Sequence, residues 1–223
     1  MLTFVTSVRT RSKSDRTRAR IIAAAGPLFA VEGFDAVATQ RISDAAGIAA
    51  GTLFRYAATK GELLLMVLND RFAEAIDTGI RDASTEASGI DALYALAAPV
   101  VDFAATHAET TAQYQSALFY GPGGEPHRDR GRELVKKWRS EAARLLGAAV
   151  GVEPDREDVG GAADALLAVM SMTVADLTQG RRHAGLRGQF EVILAGLSVV
   201  VRASRAPTTN EAVPEQDVNE RIQ

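Results

Sequence analysis

An all-α fold is predicted, in which an N-terminal helix-turn-helix unit precedes a larger helical domain, and three observations predict it. Apolar residues recur at helical spacing through most of the chain, and no strand pattern or internal repeat stands out. Residues 39–60 read as two short helices joined by a tight turn at Gly47. Charge is segregated: residues 1–60 carry nine Lys or Arg against four Asp or Glu, a net of +5, whereas the 223-residue chain is formally −3, leaving −8 for residues 61–223.

Each element has its own signal. Residues 1–13 are basic and aperiodic, a mobile arm. With Ser14 or Asp15 as cap, Ile21, Ala25, Leu28, Phe29 and Glu32 trace one face of a first helix that Gly33 stops. Pro27 deletes the bond to the Ala23 carbonyl and is expected to bend that helix. Thr39 is placed to cap the next helix, whose apolar face is Ile42, Ala45 and Ala46. After Gly47, Ile48 and Leu53 close a small shared core, and residues 50–56 form the second helix of the pair. Thr59-Lys60-Gly61-Glu62 has capping-box form, so Thr59 and Glu62 are expected to satisfy each other's backbone donors at the start of a long helix to about residue 83. Ser88 to Asp91 repeats that form and opens a helix to about 107, kinked at Pro99.

Residues 92–124 hold only two charges, Asp102 and Glu109, among many aromatic, Ala and Thr residues, and such helices are expected to be buried nearly all round. Gly121 to Gly124 is a loop. Pro126 sits in the first turn of a charged amphipathic helix to about 149, with Leu134, Trp138, Leu145 and Leu146 inward. Pro154 with Asp155, Glu157 and Asp158 is expected to open a helix to about 179. A last helix near 186–203 presents Phe190, Ile193, Leu194, Leu197 and Val201. The implied organisation is an arm (1–13), a helix-turn-helix domain (14–60), a larger helical domain (61–204) and a disordered polar tail (205–223).

Composition narrows the function. The chain is 47% apolar, enough for a real core, and has no cysteine, which excludes disulfides, thiolate metal sites and thiol catalysis. Met1–Thr6 is too short an apolar run for a signal peptide, and no uncharged run of about 18 apolar residues follows, so a cytoplasmic location without a membrane partner is expected. A pI of 5.7 alone argues against nucleic acid, but a DNA footprint is a local basic surface, and the N-terminal segment supplies one. The helix over 50–56 turns Gly51, Thr52, Phe54, Arg55 and Tyr56 largely outward, a mix that reads base edges and phosphates. On spacing alone an ordinary helical hairpin fits equally; charge favours the DNA reading.

In Ile21 to Ala30, Gly33-Phe34, Thr39 to Ile42, Ala46-Gly47-Ile48, Gly51 to Tyr56 and Lys60, the sequence resembles the TetR (tetracycline-repressor-like) family of bacterial transcriptional regulators, over about residues 18–65. The resemblance implies a three-helix DNA-binding domain on a larger helical domain that dimerises and holds an effector. It implies that Thr39 is a phosphate-contacting cap, that Arg41 faces the backbone or a groove edge, that Gly51, Thr52, Arg55 and Tyr56 contact DNA, and that Lys60 binds phosphate. Gln40, Ala50 and Phe54 complete the DNA-facing set. Ala49 stands where the family usually has a capping Ser or Thr, Ala50 where a polar or basic side chain often reaches DNA, and Ala57 where an aromatic usually packs, which suggests a looser joint.

The expected function is a ligand-responsive regulator, in the first instance a repressor, that binds a near-palindromic duplex operator as a homodimer and is released by a small hydrophobic effector. Phe72, Ile76, Tyr94, Phe103, His107, Tyr114, Phe119 and Trp138 are the expected effector lining. The dimer contact is expected from the last two long helices, through Gly160, Gly161, Ala162, Ala163, Leu167, Met170, Leu194, Leu197 and Val201. The competing class is an all-α enzyme or carrier of a small hydrophobic molecule, which predicts no salt-dependent shift of duplex DNA. No catalytic motif, cofactor or metal site is expected. His107, His127 and His183 lack metal-ligand spacing; His127 and His183 are expected to face solvent and His107 to be a core or pocket residue.

Overall fold

The computed structural model describes residues 12–121, 124–181 and 185–205. Among these, nine helices and no strand are found: α1 (Lys13–Glu32), α2 (Thr39–Ala45), α3 (Ala50–Tyr56), α4 (Lys60–Ala83), α5 (Gly89–Thr106), α6 (Ala108–Tyr120), α7 (Pro126–Val150), α8 (Glu157–Thr178) and α9 (Leu186–Arg205). Residues 1–11 of the expected arm (1–13), residues 206–223 of the expected tail (205–223) and His183 lie outside the described residues, whereas Lys13 belongs to α1 and Arg205 to α9.

α1 begins earlier than expected because Ser12, not Ser14 or Asp15, is its cap. The Ser12 hydroxyl accepts the Asp15 N–H and the Asp15 carboxylate accepts the Ser12 N–H, each at 3.1 Å. The helix is one element through Pro27. Ala23 and Pro27 both lie on its exposed side, so the carbonyl that Pro27 leaves without a donor can meet water. On the opposite side Ile21, Ala25 and Phe29 are buried with Ile42, Ala46, Leu53 and Ala57, which fixes α1, α2 and α3 on one small core. Gly47 takes φ +60° at the α2–α3 turn, a conformation that disfavours a Cβ, and its carbonyl accepts Arg20 Nη2 at 2.8 Å.

Two of the expected caps are not made. α2 starts at Thr39 itself, with Ala38 as a cap that has no side chain to offer, and the Ser88 hydroxyl makes no capping bond to α5. Pro154 sits in the α7–α8 connection rather than in a first turn, since Arg156 is the residue that caps α8.

α4 joins the two parts of the fold. Its residues Leu63, Leu64, Leu65, Met66, Val67 and Leu68 are all buried, because the helix is wedged between α1 on one side and α5, α6 and α7 on the others. Its most extensive neighbour is α5. Beyond it, α7, α8 and α9 pack in sequence around Trp138, Leu146, Leu166 and Phe190, each at most 1% exposed. α5 and α8 are long and apolar enough to cross a membrane by length and composition alone; here their buried residues face the other helices of the bundle. The all-round burial expected for residues 92–124 does not occur: Tyr94, Phe119 and Tyr120 are 41%, 49% and 88% exposed, because α5 and α6 each keep one face outside the bundle.

Candidate nucleic-acid interface and ligand cavity

α3 buries only Leu53 and is otherwise turned outward. Gly51, Phe54 and Arg55 are exposed, while Ala50, Thr52 and Tyr56 are half-buried. Arg55 has no ion-pair or hydrogen-bond partner among the described residues, and a Cβ at Gly51 would meet open space. The helix thus presents one guanidinium, one aromatic ring and a flat backbone patch together, a shape suited to a groove. Tyr56 is partly engaged inward, its hydroxyl 3.2 Å from Ser14 Oγ.

Other residues expected at this face have intramolecular duties. Arg41 pairs with Glu32, and Gln40 Nε2 donates to Asp44 at 2.8 Å. Lys60 Nζ donates to the Asp35 carbonyl at 3.0 Å and lies 4.6 Å from the centre of the Phe34 ring, so it holds the α1–α2 loop. One of its three ammonium protons is used there. Thr39 is half-buried at the start of α2 and caps nothing. Ala57, 3% exposed, is part of the shared core.

Only half of the expected box at α4 forms. Thr59 Oγ1 accepts the Glu62 N–H at 3.0 Å, but the Glu62 carboxylate turns away from its own helix to the N-terminus of α7, accepting the N–H groups of His127 and Arg128 at 3.1 Å each. The helix dipole and two charge-assisted bonds favour a carboxylate there. Burial nevertheless raises the Glu62 pKa above the ordinary value; the His127 and Arg128 N–H groups oppose that rise, and nearby Glu125 adds to it. His127 is not solvent-facing as expected: its ring Nε2–H donates to the Tyr56 carbonyl, the last residue of α3, at 2.7 Å. Its own carbonyl accepts Asn69 Nδ2 at 2.8 Å, and Asn69 Oδ1 accepts the Tyr114 hydroxyl, also at 2.8 Å. Burial pushes the Tyr114 phenol far above its usual pKa, so it remains a donor. Tyr114, Asn69, His127 and Tyr56 therefore form a continuous polar path from α6 through α4 and α7 to the end of α3. No local pattern foretold this path, since its members lie 45, 58 and 71 residues apart.

Glu62→Gln tests this joint. A protonated carboxyl can still accept at both oxygens, whereas an amide nitrogen cannot, so one α7 N–H loses its acceptor at a cost of about 1–2 kcal/mol. Because the folded-state pKa is raised, the stability linked to Glu62 protonation is full below the unfolded value and is lost as pH rises through the folded one. The deficit of the variant in thermal melts is therefore expected to be largest in acid and to narrow toward neutral pH.

The inner end of the path meets a cavity of about 70 Å³ between α4, α5, α6, α7 and α8. Of the expected effector residues, Phe72, Ile76, Tyr114, Phe119 and Trp138 line it. Phe103 and His107 do not; they line a separate, more polar groove of about 690 Å³ beside α1, which also includes Pro27 and Arg71. A row of rings divides the two spaces: Tyr114 stacks on Phe72 at 4.5 Å, Phe72 meets Phe103 edge-on at 4.9 Å, and Phe103 stacks on His107 at 4.6 Å. Tyr94 faces outward and joins neither. Thr111, Gln115, Leu167, Met170 and Ser171 also line the inner cavity, although sequence reasoning placed none of them there. No cluster of metal-ligating side chains occurs among the described residues.

The described residues thus form a helix-turn-helix unit on a helical body with an inner apolar cavity. Residues 21–67 match the family model of bacterial regulatory proteins, tetR family. The chain also has the fold of solved TetR-type regulators. FadR from Bacillus subtilis, in complex with stearoyl-CoA, is 18% identical with a TM-score of 0.58, over 81% of this chain and 97% of that one. FadR from Bacillus halodurans is 18% identical with a TM-score of 0.59, over 80% and 98%. A TetR transcriptional regulator from Rhodococcus sp. RHA1 is 18% identical with a TM-score of 0.61, over 85% and 98%. At such identities the likeness is one of fold. No curated protein matches the chain by sequence.

Proposed function

We propose that this protein is a dimeric, effector-released repressor that reads a near-palindromic duplex through α3 and responds to a small apolar molecule in the inner cavity. The observation that carries the reading is the hydrogen-bonded path from Tyr114 in the cavity wall to the Tyr56 carbonyl at the end of α3, which gives an effector a physical route to the DNA-reading helix. The two parts correspond to an N-terminal DNA-reading domain, to about residue 60, and an effector and dimerisation domain beyond it.

An apolar effector fits the cavity because no Asp, Glu, Lys, Arg or His lines it, and a similar structure is a complex with stearoyl-CoA, which supports an apolar chain as the ligand class. The space is smaller than the roughly 150 Å³ that accommodates benzene in an apolar core. A ligand of that size or larger would have to widen it by moving α6 or α7. Such a ligand releases DNA to the extent that it prefers the widened state, and DNA must weaken the ligand by the same factor.

The outer sides of α8 and α9 support dimerisation, though of the residues expected there only Gly161 is exposed. Ala163, Met170, Leu197 and Val201 are buried within the protomer. What remains outside is a stripe of Gly161, Ala168 and Met172 on α8 and one of Gly188, Val192, Gly196 and Val199 on α9, at helical spacing and exposed. Small residues with exposed valine and methionine suit close packing against a second copy.

Equilibrium DNA binding tests the reading. Arg55→Ala is expected to reduce discrimination between a selected genomic duplex and random duplex by about 1–3 kcal/mol if the guanidinium meets a base. Lys60→Ala is expected to weaken both duplexes alike and lower the salt slope by about one unit. Salt-independent binding, or no change in either variant, would contradict it.

A further inference from the structure

We infer that the effector carries one uncharged carbonyl group and that Thr111, in the wall of the apolar cavity, donates a hydrogen bond to it; this rests on the reading of that cavity as the effector site. Thr111 is 0% exposed, it lines the cavity, and its Oγ1 has no hydrogen-bond partner among the described residues. A buried hydroxyl without a partner is uncommon, because desolvating it is costly and a remedy is usually near.

Here the remedy is within reach and is not used. Thr17, Thr106 and Thr173 each donate to the carbonyl four residues back, at 2.9–3.0 Å. The corresponding carbonyl for Thr111 belongs to His107 and takes only the Thr111 backbone N–H, at 2.9 Å. The side chain stands instead at a space whose other walls are almost wholly apolar.

The surroundings narrow what the hydroxyl can meet. Gln115, one turn further along α6, lines the same wall and has amide donors of its own. A hydroxyl and a carboxamide on the same wall can both donate to one lone-pair-bearing oxygen, as a carbonyl group requires. The Tyr114 hydroxyl is already committed to Asn69, at 2.8 Å. No cationic side chain lines the cavity, so a carboxylate or phosphate placed there would be an unpaired buried charge. A ketone, ester, amide or thioester satisfies both the apolar walls and the hydroxyl; a pure hydrocarbon leaves the hydroxyl unbonded.

The test compares 2-heptanone with n-heptane, followed by the fluorescence of Trp138, which is 1% exposed and lines the cavity. The full-length protein, Thr111→Val and Thr111→Ser are titrated with each probe. Thr111→Val is expected to weaken 2-heptanone about tenfold, the size of one neutral hydrogen bond, and to leave n-heptane within about twofold. Thr111→Ser, which keeps the hydroxyl, is expected to restore most of the ketone affinity. Without ligand, Thr111→Val is expected to raise the melting temperature by about 2–4 °C, since it removes an unsatisfied group. Equal loss of both probes, no change in either, or a lowered melting temperature would overturn the carbonyl contact while leaving the cavity as the effector site; the second outcome would mean the hydroxyl serves water only. If neither probe perturbs Trp138 in the unaltered protein, the effector-site reading falls with it.

Discussion

Asn69→Leu is expected to leave DNA binding and ligand binding in place and to remove the communication between them. On the proposed reading, a ligand that widens the cavity would move Tyr114, and the displacement would reach the Tyr56 carbonyl through the hydrogen bonds of Asn69 and His127. Allosteric coupling typically changes affinity by about 5–150-fold, and this factor should fall toward one in the variant. Leucine is close to asparagine in size, so the packing between α4 and α7 is largely kept. The Tyr114 hydroxyl and the His127 carbonyl lose their partner, at a stability cost of about 1–3 kcal/mol. His127→Phe provides the control, because it keeps a ring of similar size and breaks only the bond to Tyr56. Operator affinity measured with and without ligand in both variants decides the point. If the coupling factor is unchanged, the signal travels through the packing of α4 on its neighbours and the polar path only holds the joint together.

Gly79→Ala is expected to destabilise the protein by roughly 3 kcal/mol, a fall of about 6–12 °C in melting temperature. Helix propensity alone predicts the opposite sign, since alanine in a helix interior is favoured over glycine by about 1 kcal/mol. Packing decides it. A Cβ at Gly79 would lie 2.3 Å from the Leu96 carbonyl oxygen and 3.0 Å from its carbon, so the backbone of α5 would have to move. That carbonyl also accepts Trp138 Nε1 at 3.4 Å, so the shift would disturb the cavity wall as well. A thermal melt that rises or stays level would show that α4 and α5 separate easily at this point.

How much of this was legible depends on whether a signal is local. Helix periodicity, Pro126 in a first turn, Gly33 and Gly47 at stops and turns, and Thr59 as a cap all act within about four residues, and the helices they mark are found. Single caps were harder, because Ser and Thr near a helix start are interchangeable in sequence: Ser12 caps α1 in place of Ser14, and Thr39 enters α2 instead of capping it. Glu62 read as the second half of a capping box, and nothing nearby revealed that its carboxylate belongs to a helix 65 residues away. The aromatic richness of residues 92–124 pointed to a cavity, yet could not separate Tyr114 and Phe119, which line it, from Tyr94, which faces out. Met170 and Leu167 are apolar residues of α8 that could equally face a partner or the interior; the structure turns both toward the cavity. Charge segregation and the motif over α1 to α3 carried the DNA reading, because a basic surface with a short outward helix leaves its mark in contiguous sequence.

Stoichiometric titration of the protein with a duplex selected from genomic fragments, across a range of salt concentrations, tests the central claim most directly. The account predicts two protomers per duplex, half-sites whose centres are about one helical turn or roughly 34 Å apart, and an affinity that falls steeply and log-linearly with salt. Enrichment of no fragment, or a single protomer bound with an affinity indifferent to salt, would contradict it.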